Sequence, residues 1–222
     1  MNKLCIFDLD GTLINTLPQI DYYVNLTLEK FSLPKIDRET VCSFVGWGGR
    51  ALIKKVLDYA DSGQSISRGA FYDSYIRDYN SDVSYLAEVY GGVEAVLAEL
   101  KALGVKLAVL SNKPHSTVSE VTRKFFPRVF DAVLGGREDY PLKPNPVCCF
   151  ELCRLFDVGA ESVLFFGDSE IDMKTASAMG AAKGVGVLWG FRSREVLKEA
   201  GADILIDSPS EIVDLVKKEL KI

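Results

Sequence analysis

Histidine is almost absent from this chain, with one residue, His115, in 222. It lies in NKPHST, where it reads as a loop residue rather than a catalyst. Cysteine is present but poorly arranged for a cage. The five residues Cys5, Cys42, Cys148, Cys149 and Cys153 are odd in number, contain no C-x-x-C and sit among apolar neighbours. They read as reduced core thiols, with metal binding the alternative. No run of like charge occurs, and 26 basic against 31 acidic residues leave a net charge of -5. That balance argues against nucleic acid and against an anionic membrane surface as partners.

Long apolar runs are missing too. Charged or polar residues interrupt each one before it reaches membrane-spanning length, and MNKLCIFDLD offers too short an apolar stretch for a signal peptide. The expectation is a soluble cytoplasmic protein, monomer or homodimer, without repeats or low-complexity tracts. With 48% hydrophobic residues, the chain can pack a core without disulfides or metals as staples, in one large domain or two smaller ones.

Short continuous apolar runs recur along the chain: KLCIFDLD, VKLAVLSN (105–112), AVLGG (132–136), SVLFFGDS (162–169), GAAKGVGVLWG (180–190) and ADILIDS (202–208). Helical patterns alternate with them, among them GGVEAVLAELKALG, with Gly104 as a stop, and the C-terminal EIVDLVKKELKI. This alternation predicts an α/β fold, a Rossmann-like parallel sheet with helices on both faces. From about Asn15 to Glu88 no buried strand is evident. LPQIDYYVNLTLEKF, DRETVCSFVGWGGRALIKKVLDYA and SRGAFYDSYIRDYN all read as helix, and Gly91-Gly92 mark the return to the sheet. The predicted organisation is a core of residues 1–14 and 89–222 and a small helical domain of residues 15–88 inserted after the first strand.

The first apolar run ends in FDLDGTL, with Asp8 and Asp10 two apart. Side chains at i and i+2 of an extended segment point the same way, so the two carboxylates converge while Leu9 faces away. Such a pair needs a cation, a shared proton, or both. Gly11 permits a turn closed to other residues, and Thr12 adds a hydroxyl. The bland alternative is turn punctuation with both acids solvated.

In open α/β sheets ligands bind beyond the carboxyl ends of the strands. There the second run ends in Ser111-Asn112-Lys113, and LFFGDSEID ends in Asp168 with Asp172 four residues on. GGREDYPLKPNP carries Lys143 between two prolines. Ser111-Asn112 and Ser169 could be ordinary helix caps and Lys143 a solvated loop residue. Taken together, acids, hydroxyl, amide and lysine at strand ends suit phosphoryl transfer. That reaction needs an in-line nucleophile, a proton for the leaving oxygen and positive charge on the equatorial oxygens. Clustered carboxylates without a histidine or cysteine ligand suit Mg2+.

These four stretches resemble the haloacid dehalogenase superfamily of phosphatases. FDLDGTL matches its first motif, LSNK its second, the lysine of LKPNP its third and GDSEID its fourth, in the family's order from Phe7 to Asp172. The resemblance implies that Asp8 is the nucleophile forming an aspartyl-phosphate, and that Asp10 is general acid, then base. It implies that Ser111 and the Asn112 backbone N–H hold the phosphoryl oxygens, joined by Thr12 in the substrate-binding set, and that Lys143 orients Asp8. Asp168 would bind Mg2+ with the Asp8 carboxylate and the Asp10 carbonyl, while Asp172 is a ligand or a partner to one.

Asp10 favours phosphate chemistry over the dehalogenase branch, which lacks that residue. The absence of histidine from NTLPQIDYY sets the chain apart from the sugar-phosphate mutases. The inserted helices resemble the family's small α-helical cap, and SFVGWGGRALIKKVL resembles the cap segment of phosphoglycolate phosphatases. By that likeness Arg50 meets a substrate carboxylate, the alternative being a helix-surface arginine. Trp47, where those enzymes often carry a polar residue, either shapes the pocket or packs cap against core.

The expected activity is therefore Mg2+-dependent hydrolysis of a small phosphate ester, 2-phosphoglycolate foremost. An inorganic pyrophosphatase or a broad sugar-phosphate or nucleotide phosphatase is the alternative, though a pyrophosphate reader should need more charge than Arg50, Lys54 and Lys55 supply. A phospho-accepting signalling module is the reading from a different class.

Overall fold

β1 (Leu4–Phe7) runs through the middle of a six-stranded sheet because each of its four side chains is apolar and buried. The computed structural model describes residues 2–60, 66–138 and 140–222. β4 (Lys106–Pro114) and then β5 (Ala132–Gly136) lie on one side of β1. β6 (Val163–Gly167), β7 (Lys183–Val187) and β8 (Ile204–Ile206) follow on the other, giving the order β5-β4-β1-β6-β7-β8. Every pairing in this sheet is parallel.

The period-two alternation of strand side chains splits the core in two. Cys5, Phe7, Leu107, Val109, Leu164 and Phe166 face α5 (Val93–Ala102), α6 (His115–Phe125) and α10 (Ile212–Leu220). Leu4, Ile6, Ala108, Leu110, Val163 and Phe165 face α7 (Val147–Phe156) and α8 (Glu170–Met179). Both faces are covered, which is why these strands read as unbroken apolar runs. α9 (Arg194–Glu199) packs beside β8. All five cysteines are free; four are buried, and Cys42 is half-buried in the insertion.

Phe7 and Phe166, opposite one another on β1 and β6, stack with ring centroids 4.7 Å apart. Such a pair adds about 0.5–1.5 kcal/mol beyond its burial. It anchors the two strand ends just below the residues that follow them, Asp8 and Asp168.

The segment after the first strand is helical, as its pattern predicts: α1 (Leu17–Lys30), α2 (Arg38–Phe44), α3 (Gly49–Ala60) and α4 (Arg68–Tyr79). It closes on its own core, built from Ile20, Val24, Leu28, Val41, Ile53, Val56, Phe71 and Tyr79 among others. This is the cap. Two details differ from the sequence reading. DRETVCSFVGWGGRALIKKVLDYA forms two helices, broken where Val45 is extended and Gly46 (φ 118°) and Gly48 (φ 86°) take conformations open to glycine. The neck of the insertion also carries a short antiparallel ladder of β2 (Ile14–Asn15) with β3 (Glu88–Val89), in which Ile14 pairs with Val89. Two-residue strands are too short to leave a period in the sequence. Residues 61–65, within the expected 15–88 domain, and Asp139, within GGREDYPLKPNP, lie outside the described residues. Among the described residues no helix is long and apolar enough to cross a membrane.

Candidate active site

β1 has β4 on one side and β6 on the other, and the chain reverses its direction of travel across the sheet there. This switch point is where open α/β sheets leave a crevice. Three strands deliver their terminal residues into it. Asp8 continues the line of β1, its N–H donating to Phe166 O at 2.9 Å. The chain then turns at Gly11 (φ 83°), and Leu9 is left fully buried in the core. Ser111 and Asn112 lie in the last turns of β4, both buried. Asp168 follows β6 and is 1% exposed.

Asp168 is gripped closely. Thr12 Oγ1 donates to its Oδ1 at 3.0 Å and the Phe191 N–H to its Oδ2 at 2.9 Å. A Cβ at Gly11 would stand 2.2 Å from Asp168 Oδ2, and one at Gly190 2.2 Å from Asp168 Cβ. Glycine is the residue that leaves space for this carboxylate on both sides.

Asp172 is the third helical residue of α8. It forms a reciprocal cap with Ser169, whose N–H donates to Asp172 Oδ2 at 3.1 Å. Its other oxygen, Oδ1, accepts from Lys143 Nζ at 2.7 Å. Asn112 sets the Lys143 loop, accepting the Lys143 N–H at 2.8 Å and donating to Lys143 O at 3.0 Å. The same amide group donates to Gly46 O of the cap at 3.0 Å.

The Lys143 ammonium also stands 2.9 Å from Asp8 Oδ1. Apart from this ion pair, Asp8 Oδ1 is buried with no other partner among the described residues. Asp8, Asp168 and Asp172 each offer a carboxylate oxygen, and these oxygens lie within 4.8 Å of one another. The cluster is costly when all three are charged. Burial pushes the Asp8 carboxyl up to about 7; Lys143 pulls it down, while Asp172 and Asp10 raise it further. Burial, then Asp172 and Asp8, hold Asp168 well above the usual carboxylate range despite its bonds from Phe191 and Thr12. Burial works against the Lys143 ammonium, yet Asp172 and Asp8 more than offset it and hold the group above its ordinary value. One lysine against three acids leaves room for more positive charge. An all-oxygen donor set of three buried carboxylates fits a divalent cation of the hard class.

Asp10 is half-buried and turned toward β4. Its Oδ1 accepts from Thr16 Oγ1 at 2.7 Å, and Lys113 Nζ reaches Oδ1 at 2.8 Å and Oδ2 at 3.1 Å. Both acids of FDLDGTL, with Ser111, Asn112, Lys113 and Asp168, line a cavity that opens to solvent. The cap supplies its roof: Ile20, Val45, Gly46, Gly48, Leu52, Tyr75 and Tyr79.

The sites expected from the sequence thus fall into three groups. Asp8, Asp10, Ser111, Asn112 and Asp168 meet at the cavity wall. Lys143, Asp172 and Thr12 stand behind it, bonded to the acids. Trp47 and Arg50 are not among the lining residues: Trp47 is 38% exposed, and the exposed Arg50 lies over the Tyr72 ring at 4.8 Å. His115 begins α6 and its Nδ1 accepts the Gly135 N–H at 3.2 Å.

Two basic cavity residues carried no role in the sequence reading, Lys113 and Arg192. Arg192 Nε donates to Glu170 at 3.1 Å. Its Nη1 and Nη2 donate to Cys42 O at 3.1 Å and Val45 O at 2.8 Å, the carbonyls at the end of α2. The comparison of strand ends could have found it, since WGFR follows the β7 run as GDSEID follows β6.

Residues 5–185 match the family model for haloacid dehalogenase-like hydrolases. The phosphoglycolate phosphatase of Haemophilus influenzae (strain 86-028NP) is 33% identical over 226 residues, covering 96% of this chain and 98% of the relative. That of Pasteurella multocida (strain Pm70) is 32% identical over 227 residues, covering 97% and 98%. Among solved structures, one described as "a predicted phosphoglycolate phosphatase" from Haemophilus somnus 129pt superposes with a TM-score of 0.91 at 29% identity, covering 96% of this chain and 97% of that one.

Proposed function

The chain belongs to the haloacid dehalogenase-like hydrolases, and from that membership we propose a Mg2+-dependent phosphomonoesterase whose preferred substrate is 2-phosphoglycolate. One observation carries the chemistry: Asp8, buried beside Lys143 and the Asp168 carboxylate, faces a cavity that the cap roofs. A carboxylate so placed is a nucleophile with its counter-charge in position.

Asp8 attacks phosphorus in line with the ester oxygen. The ester P–O bond breaks, its electron pair leaves with the alcohol oxygen, and that oxygen takes the proton carried by Asp10. A water, giving its proton to Asp10, then attacks the aspartyl-phosphate at phosphorus. The bond to Asp8 breaks, phosphate departs, and both acids return to their starting states. The Ser111 hydroxyl and the Asn112 N–H hold the equatorial oxygens, and Lys143 fixes the orientation of Asp8. Mg2+, held by the Asp8 and Asp168 carboxylates, would supply counter-charge to nucleophile and phosphoryl oxygens. Asp172, with both oxygens engaged by Lys143 and Ser169, anchors the lysine.

The named substrate is supported by full-length relatives called phosphoglycolate phosphatase. Against a pyrophosphatase stands the scarcity of cavity charge: Lys113 and Arg192 are the basic side chains among the lining residues, and Arg192 is engaged by Glu170 and by the Cys42 and Val45 carbonyls. Against a signalling module stands the cap over the phosphorylated residue.

The test is Mg2+-dependent phosphate release from 2-phosphoglycolate, pyrophosphate, sugar phosphates and nucleotides, with Asp8→Asn as the blank. A preference for phosphoglycolate of about a hundredfold in kcat/KM, about 2.7 kcal/mol, is expected. A flat profile withdraws the substrate, and full activity in Asp8→Asn withdraws the mechanism.

A further inference from the structure

We propose that Lys113 reads an anionic group on the leaving alcohol and so sets the enzyme's preference for phosphorylated hydroxyacids. This rests on the phosphatase reading and on Asp10 as the proton donor to the leaving oxygen.

A donor to the leaving oxygen must stand within hydrogen-bond distance of it, about 2.7 Å. Lys113 Nζ is 2.8 Å and 3.1 Å from the two oxygens of that donor, Asp10. A carboxylate borne one carbon beyond the leaving oxygen therefore arrives beside the ammonium. The Tyr79 ring lies 4.7 Å from Nζ and covers one side of it. The side chain is only 9% exposed, yet it lines the cavity. A cation so shielded from water gains more from a second anion than an exposed one does.

The other cations near the site are committed elsewhere. Lys143 is clasped between Asp8 and Asp172, behind the point of attack. Arg192 spends its guanidinium on Glu170 and on the Cys42 and Val45 carbonyls. Arg50, the sequence candidate for this role, lies on Tyr72 and does not line the cavity. Lys54 pairs with Asp58 at 2.7 Å, 60% exposed. Among the basic side chains of the described residues, Lys113 alone joins a place at the cavity wall to direct contact with the proton donor.

The experiment compares kcat/KM for 2-phosphoglycolate with that for 2-hydroxyethyl phosphate, a substrate of the same length with a neutral end, in wild type, Lys113→Met and Lys113→Arg. Both rates fall in the variants because Lys113 touches Asp10, so the ratio is the readout. Wild type is expected to prefer the carboxylate by about a hundredfold. Lys113→Met brings the ratio to within about threefold of unity, chiefly through KM for phosphoglycolate, and Lys113→Arg keeps about tenfold or more. A wild-type preference that persists in Lys113→Met overturns the proposal and leaves the phosphoglycolate reading intact. A wild-type ratio near one, seen without any variant, overturns both. Should Lys113→Met lose its fold by circular dichroism, Lys113→Gln decides the same ratio.

Discussion

The backbone N–H of Phe191 donates to Asp168 Oδ2 across 2.9 Å, while the ring of the same residue packs against the core of the cap. One residue therefore touches both the acid cluster and the roof over it. Its neighbour Arg192 extends the link, tying Glu170 of α8 to the end of α2. Placement of the cap and placement of the Asp168 carboxylate are mechanically joined at this short stretch.

Arg192→Ala should loosen that joint. The expected result is a fall in kcat/KM of about ten- to a hundredfold at saturating Mg2+, since small displacements of reacting groups are costly. Steady-state kinetics with phosphoglycolate measures it. Wild-type kcat/KM in this variant would show the contacts to be incidental.

Asp8→Asn should lower kcat by at least about a thousandfold, for it removes the nucleophile. Asp10→Asn should slow both halves of the reaction, and a rapid-quench experiment should find phosphate bound covalently to protein for longer than in wild type. If the covalent species disappears no more slowly than in wild type, Asp10 is not the base for its hydrolysis.

Lys143→Met leaves Asp8 and Asp172 buried without their common counter-charge. Breaking a buried pair in this way costs about 3–5 kcal/mol. Urea unfolding in EDTA at pH 8 should register the loss, and at pH 5, where protonation relieves the repulsion, the difference from wild type should shrink. A pH-independent difference would point to packing around the lysine as the cause.

Mg2+ should stabilise the protein more as pH rises. Without metal the Asp8 carboxyl is held up at about 7, from an ordinary value of 3.8, chiefly by burial. Between those values the folded protein keeps a proton that the unfolded chain has released. Its contribution to stability is therefore full below about pH 4 and lost as pH climbs through about 7. A bound cation favours the ionised form and cancels that loss. The gap between Tm with Mg2+ and Tm in EDTA should be small at pH 5 and widen to pH 8. A constant gap would place the ion away from Asp8.

The sheet was legible because β1, β4 and β6 are covered on both faces and so appear as continuous apolar runs, each ended by a chemically distinctive residue. The cap was legible as helix for the same kind of reason. What escaped lay in very short elements or in tertiary contacts. The β2–β3 ladder is two residues long on each side. Arg192 follows the β7 run and was visible at a strand end, but its bonds to the Cys42 and Val45 carbonyls, some 150 positions away, leave no mark in the sequence. Arg50 follows a glycine-rich turn at the start of α3, but the helix turns it onto Tyr72. Lys113 stood inside a recognised motif, and its bond to Asp10 joins positions 103 apart in the chain.

The pairing of Ile14 with Val89 means that the cap departs and returns at a single joint. Replacing the whole lid by another, longer or shorter, would impose no new separation on the strand ends that hold the acids, and closing a longer loop costs only about 0.6 kcal/mol per doubling of length. The acids at the strand ends thus keep their spacing whatever length of chain is inserted at this joint, and Lys113, carried by β4, stays beside Asp10 with them. A lineage built this way can resize its lid without moving the groups beneath it.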